Sequence, residues 1–211
     1  MKNLILFSIT LLITLSCNSN GNKDNITSVR SDTVIDLSFE IRIIGQHSLD
    51  LGGSSFNPIA IIRDNVEVFR DTVSEYWLCG FESKDYPRLL QCSDGSVQIL
   101  LEIDDRPNIN YLNQITISNE DKVVIRQLPV FQWEPKDIDN DGKLEVSGFL
   151  TNSESIANGD SVIYNPKLVY EISNNCLIFD SITSIEINKD IYGKFYGFYY
   201  NEDIVLPYKE K

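Results

Sequence analysis

Only one histidine, His47, occurs in this chain, so any Ser/His/Asp or Cys/His mechanism would have to use it. It lies among Gly45, Ser48 and Gly52-Gly53, a setting that reads as a solvent-facing loop. No Gly-x-Ser-x-Gly elbow is present, and neither Cys79 nor Cys92 sits in a recognisable nucleophile context. The four cysteines also lack the paired spacing of a zinc site. Positive charge is scarce: 18 Lys and Arg face 31 Asp and Glu, a formal net charge of −13. That balance argues against nucleic acid and anionic membrane surfaces as partners. A basic protein, a glycan or a cation remains compatible with it. After Leu15 there is no apolar run long enough to cross a bilayer as a helix.

The one long apolar run is itself informative. Met1-Lys2-Asn3 is followed by Leu4 to Leu15 and then by Ser16-Cys17, the pattern of a secretory leader over residues 1–16. Leu15-Ser16-Cys17 resembles a bacterial lipobox, with Thr14 in place of the usual leucine. The resemblance implies that Cys17 is lipidated after cleavage and anchors the chain in the cell envelope, at the outer membrane. The alternative is an ordinary secreted protein whose leader ends near a cysteine. Residues 17–32 are rich in Asn, Ser, Gly, Lys and Asp and read as a flexible tether. Residues 33–211 are long enough for one domain with a sizeable core.

Within that domain the hydrophobic pattern has a period of two. Ile35, Leu37, Phe39, Ile41 and Ile43 alternate with polar residues and predict one half-buried strand. Further strands are expected at Ile59–Ile62, Val66–Phe69, Val97–Ile103, Leu112–Ile117 and Val123–Leu128. Others are expected at Leu144–Leu150, Leu168–Ile172, Cys176–Phe179, Ile182–Ile187 and Lys194–Tyr200. Asp64-Asn65, Asp94-Gly95, Asn119-Glu120-Asp121 and Asn174-Asn175 supply turns. No amphipathic helix of useful length stands out. The expected class is all-β, a single domain of antiparallel sheets arranged as a sandwich or as propeller-like blades. A weak repeat accompanies it. Phe56-Asn57-Pro58 leads through two short strands to Phe69, and Tyr164-Asn165-Pro166 leads through two more to Phe179.

The most distinctive stretch is Asp137-Ile138-Asp139-Asn140-Asp141-Gly142-Lys143-Leu144-Glu145. Alternating carboxylates on a tight loop suit a hard cation such as Ca²⁺, which takes about six to eight oxygen ligands. Asp137, Asp139 and Asp141 would ligate through side chains, Lys143 through its carbonyl, and Glu145 would close the shell. Gly142 would supply the positive φ that folds the loop back. An EF-hand would need glutamate where Gly148 stands. The stretch instead resembles the DxDxDGxx(D/E) loop of FG-GAP and VCBS-type repeats, which implies a calcium-braced β-structure and no particular reaction. Trp133, just upstream, is expected to anchor the loop against the sheet.

The remaining candidates are less specific. Cys79 and Cys92 are expected to form a disulfide, with two free thiols as the alternative and Cys176 as a core residue. Glu102, Asp104 and Asp105 are the carboxylates that a glycosidase-like pair could use, against the commoner reading of a solvated strand end. The run from Tyr192 to Tyr200 presents either a core strand or an aromatic binding face. Three functions are compatible with these residues. The first is a calcium-stabilised binding module on an envelope lipoprotein. The second is an inhibitor or immunity protein against a basic cell-wall hydrolase, and the third is a carboxylate-based carbohydrate-active enzyme.

Overall fold

The computed structural model describes residues 32–38, 40–47, 55–77, 86–105, 110–131, 133–151, 156–157 and 161–207. Cys17, Phe39 and Cys79 lie outside that set. The described residues begin with β1 (Asp32–Asp36), β2 (Ile41–His47), β3 (Ser55–Arg63), β4 (Val66–Asp71) and β5 (Tyr76–Trp77). It continues through β6 (Arg88–Gln91), β7 (Val97–Ile103), β8 (Tyr111–Ile117) and β9 (Val123–Pro129). These nine strands form one antiparallel sheet, ordered β1-β2-β3-β5-β7-β8-β9 with β4 on β3 and β6 on β7. Next come β10 (Glu145–Phe149), β11 (Ile156–Ala157), β12 (Ser161–Tyr164), β13 (Lys167–Ser173) and β14 (Cys176–Asp180). Helix α1 (Ser181–Tyr192) and β15 (Asn201–Pro207) end the described chain. Two three-stranded sheets result, β10-β13-β14 and β11-β12-β15. The all-β, antiparallel expectation is met.

Strand β7 organises the packing because every one of its residues is buried. Side chains alternate across a strand. Val97, Ile99, Leu101 and Ile103 therefore enter one core with Ile41, Ile43, Ile59, Ile61, Ile115 and Ile117. This core is built largely from strands of the nine-stranded sheet itself. Leu100, on the opposite face, enters a second core with Leu112, Leu128, Val146, Leu168, Tyr170 and Leu177. That core carries the β10-β13-β14 sheet. Gln98 shares this second face and bonds the backbone of β14, accepting from Leu177 N at 2.8 Å and donating to Leu177 O at 3.4 Å.

The two sheets are also joined covalently. Cys92 pairs with Cys176, with Cα atoms 5.1 Å apart and a sequence separation of 84. This corrects the expected Cys79–Cys92 bridge. Spacing along the chain favours the nearer cysteine, whereas packing of β14 against β7 decides which thiols meet.

Four other expectations are corrected. The single strand predicted across Ile35–Ile43 is a hairpin, in which Ile35 faces Ile43 across β1 and β2. His47 belongs to β2, and its ring centroid lies 4.3 Å from that of Phe56. Residues 182–187 are helical. Asp180 caps α1 through Thr183 N, and Gly193, at φ 77°, closes it by donating to Lys189 O. Its buried positions are Thr183, Ser184 and Asn188, so it docks through hydrogen bonds and shows no apolar stripe. Residues 193–200 are irregular, and their aromatics split into two groups. Tyr192 and Tyr196 flank Tyr164 at 4.9 and 5.1 Å, and Phe195 meets Phe198, which meets Phe179.

Each Asn-Pro motif leads into an antiparallel hairpin, β3-β4 in one case and β13-β14 in the other, turned by Asp64-Asn65 and Asn174-Asn175 with φ between 50° and 64°. In each, the residues just before Asn-Pro pair with a later strand, β5 in one and β15 in the other. Each hairpin also ends on an aspartate that caps the next segment. Asp71 accepts from Val73 N at 2.7 Å, Ser74 N at 3.2 Å and the Tyr76 hydroxyl at 2.7 Å.

This packing is testable at two residues. Non-reducing peptide mapping should recover Cys92 linked to Cys176, and Cys176→Ala should lower stability in urea by on the order of 4 kcal/mol on the chain-entropy model. Burial pushes the Asp71 carboxyl up, but its three donors together hold it below the ordinary value. Asp71→Ala should therefore cost about 1–3 kcal/mol at neutral pH. Because the carboxylate is favoured in the folded state, that deficit should shrink as pH falls below about 4 and through the depressed folded value.

Candidate metal centre

The acidic loop is pinned at its neck by backbone. Lys136 N donates to Glu145 O at 2.9 Å, and Glu145 N donates to Lys136 O at 2.8 Å, so residues 137–144 project as one closed loop where β10 begins. Its aspartates fold the loop by accepting from N–H groups ahead of them. Asp141 N donates to Asp139 Oδ1 at 3.1 Å, Gly142 N to Asp137 Oδ2 at 3.2 Å and Lys143 N to Asp141 Oδ1 at 2.9 Å. Asn140 and Gly142 take positive φ, 66° and 88°, as the reversal requires.

This folding brings one carboxylate oxygen each from Asp137, Asp139 and Glu145 within 4.8 Å of one another. Oxygens bound to one ion at about 2.3–2.6 Å can lie no farther apart than about 4.6–5.2 Å, so this spacing can be spanned by a single hard cation. The two aspartates are exposed and Glu145 is 2% exposed. Burial pushes the Glu145 carboxyl up, the Ile138 N–H at 2.7 Å opposes that, and the charges of Asp139, Asp141 and Asp137 push it further up. A buried carboxylate facing three others is the group that a bound cation would stabilise most. The triad can hold a metal ion, and its all-oxygen chemistry favours a hard one.

Asp141, the third expected carboxylate of the loop, is placed differently. Asp141 turns to Lys143, whose backbone N–H and ammonium hold its carboxyl below the ordinary value. The ammonium lies 2.8 Å from Glu171 Oε2 and 3.2 Å from Asp141 Oδ2. Trp133 packs beside Phe131 in the second core and under the Arg88 guanidinium, 4.3 Å from its ring centroid. It therefore anchors the segment entering the loop.

Helix α1 also has a part in the site, which the period-two pattern hides. Thr183 Oγ1 lies 2.9 Å from Asp139 Oδ2 and 2.7 Å from Asp180 Oδ2. A hydroxyl has one proton and serves one carboxylate at a time. The loop is thereby tied to the helix cap. Asp180, with Gly193 downstream, is the readable signal for that helix.

Glu102 and Asp104 are both buried. Glu102 Oε1 accepts from Asn110 Nδ2 at 2.9 Å, and Asp104 Oδ2 accepts from Trp77 Nε1 at 2.8 Å. They are therefore not the solvated strand end that their composition suggests. No family model, curated protein or solved structure matches this chain.

Glu145→Gln separates the metal role from a packing role. The metal-free variant should melt no lower than the wild type, because an ion disfavoured by burial is gone, yet divalent cations should no longer raise its Tm. Calorimetric melts in chelator and in excess divalent cation provide the check.

Proposed function

We propose that this chain is a cell-envelope lipoprotein whose β-domain is braced by one Ca²⁺ ion and acts by binding rather than by catalysis. The observation that carries the metal part is the convergence of Asp137, Asp139 and Glu145 at single-ion spacing on a loop whose neck is fixed by β10. Calcium is favoured over magnesium because the loop is open on its aspartate side. An open, irregular shell of oxygens suits the larger ion, whereas magnesium demands a tight octahedron and gives up water reluctantly. The Lys143 carbonyl and a swung-in Asp141 would extend the shell. The envelope address rests on the leader and on Cys17.

A second reading, an inhibitor of a basic cell-wall hydrolase, is favoured by one surface. Asp139, Asp141, Glu171 and Asp180 line a recess of about 360 Å³ beside exposed Ile178 and Ile182. A cationic partner with an apolar contact would complement it.

Melts in chelator, calcium and magnesium test the main reading. Calcium at a hundredfold excess over its Kd should stabilise the wild type by about 2.7 kcal/mol. Magnesium should do less, and Asp139→Ala should respond to neither. A wild-type Tm indifferent to calcium would refute the metal. Independently, Cys17→Ala should move the protein from the detergent phase to the soluble envelope fraction, and unchanged partitioning would refute the anchor.

A further inference from the structure

The two outer edges of the nine-stranded sheet differ in charge. Strand β1 carries Asp32 and Asp36, charges of the kind that discourage an edge from pairing with another chain. At the other end, β9 pairs with β8 along its whole length without a bulge, and among the described residues no strand takes its second edge. No acidic residue occurs in β9, in a chain that has 31 of them. Val124 and Ile125, which point to opposite faces, are 52% and 47% exposed. A straight, β-branched edge of this kind is a template for a further strand.

Which backbone groups face that open edge follows from the ladder. Ser118 N donates to Lys122 O at 2.9 Å, which makes Ser118 and Lys122 a hydrogen-bonded pair at the start of the β8-β9 hairpin. Such pairs recur at every second residue, so Val124, Arg126 and Leu128 direct their N–H and C=O groups at β8. Val123, Ile125 and Gln127 therefore direct theirs at the open edge. Pro129 has no N–H, and β10 closes in beside it, since a Cβ on Gly148 would lie 3.2 Å from Pro129 Cβ. The available stretch is residues 123–127, centred on Ile125.

We propose that β9 pairs antiparallel with β9 of a second copy of this chain, across a two-fold axis at Ile125, joining the two long sheets edge to edge. The outward backbone groups then satisfy one another. Ile125 bonds the partner's Ile125, and Val123 bonds the partner's Gln127 in both directions. The side chains select this register. Val124 lies opposite the partner's Arg126, and Lys122 lies opposite the partner's Leu128. An axis at Val124 would set Lys122 against the partner's Arg126, and an axis at Arg126 would set that residue against its own copy. Like charges directly opposite destabilise a strand pair, so both shifts are disfavoured. A two-fold contact of this kind uses the same edge on both chains and closes at two. The net charge of −13 on each chain opposes the approach of two copies, and salt screens that repulsion. The contact involves none of the acidic triad.

Sedimentation equilibrium tests this on the chain from residue 17 onward, carrying Cys17→Ala so that no lipid is attached. A monomer–dimer equilibrium is expected, and it should tighten as salt rises. Ile125→Lys and Ile125→Glu should each weaken the dimer at least about tenfold, because each sets like charges opposite one another at the axis. An equimolar mixture of the two variants should restore a dimer, which also shows that both are folded. Val66→Lys, a similar change at an exposed residue of β4, should dimerise as the wild type does. A wild type still monomeric at about 1 mM, or one that grows beyond a dimer, would overturn the proposal. A dimer indifferent to both Ile125 variants, or a mixture that stays monomeric, would do the same. So would an equal loss in Val66→Lys, since charge rather than the β9 edge would then govern association.

Discussion

A strand buried on both faces has no freedom to slip, because moving one residue exchanges the contents of two cores. Strand β7 is under that constraint from Val97 to Ile103. One side enters the core built with β2, β3 and β8, and the other receives the β10-β13-β14 sheet. Gln98 sits among apolar neighbours, yet its amide is satisfied by the backbone of Leu177 and substitutes for a strand pairing there. The Cys92–Cys176 bridge lies at the same seam. Loosening β7 would therefore release both cores and the platform on which the acidic loop stands.

From that platform to the loop is a short path. Val146 lies in the second core, its neighbour Glu145 starts β10, and the Lys136–Glu145 backbone pair fixes the loop's neck. Rigid placement of the neck is what brings Glu145 into range of Asp137 and Asp139. The energetic cost of that placement is a carboxylate removed from water and surrounded by like charge. Lys143 relieves the crowding at the loop's rim through Asp141 and Glu171, and it does not reach the buried centre. Thr183 connects the same loop to α1, so an ion at the triad would also steady the helix cap. The helix in turn holds β13 through Ser184 and Asn188.

Much of the fold is legible in the period-two patterning. Val97–Ile103 can be located to the residue because Val97, Ile99, Leu101 and Ile103 recur at every second position after the Asp94-Gly95 turn, and Asp64-Asn65 and Asn174-Asn175 mark their hairpins. The illegible parts have physical causes. Helix α1 buries Thr183, Ser184 and Asn188, so its inner face carries no hydrophobic period, and its caps are the only local sign. The turn between β1 and β2 interrupts an alternation that the sequence continues through it, so hydropathy alone does not divide the two strands. Strand β15 has a half-exposed pattern with little contrast. Disulfide partners depend on which sheets stack, and no local spacing encodes that. Of the candidate site, the loop and three of its carboxylates are legible. The turn of Asp141 toward Lys143 and the tie to Thr183 depend on elements that come together only in the folded chain.

If the carboxylates of Asp137, Asp139 and Glu145 share one calcium ion, calorimetric titration of calcium into the chelator-stripped domain shows it directly. One saturable site per chain is expected, weakened by replacing any of the three carboxylates and untouched by Glu102→Gln. Absence of saturable binding at calcium concentrations of about 10 mM, well above the range of weak extracellular sites, would contradict the shared ion. So would a site that survives Glu145→Gln.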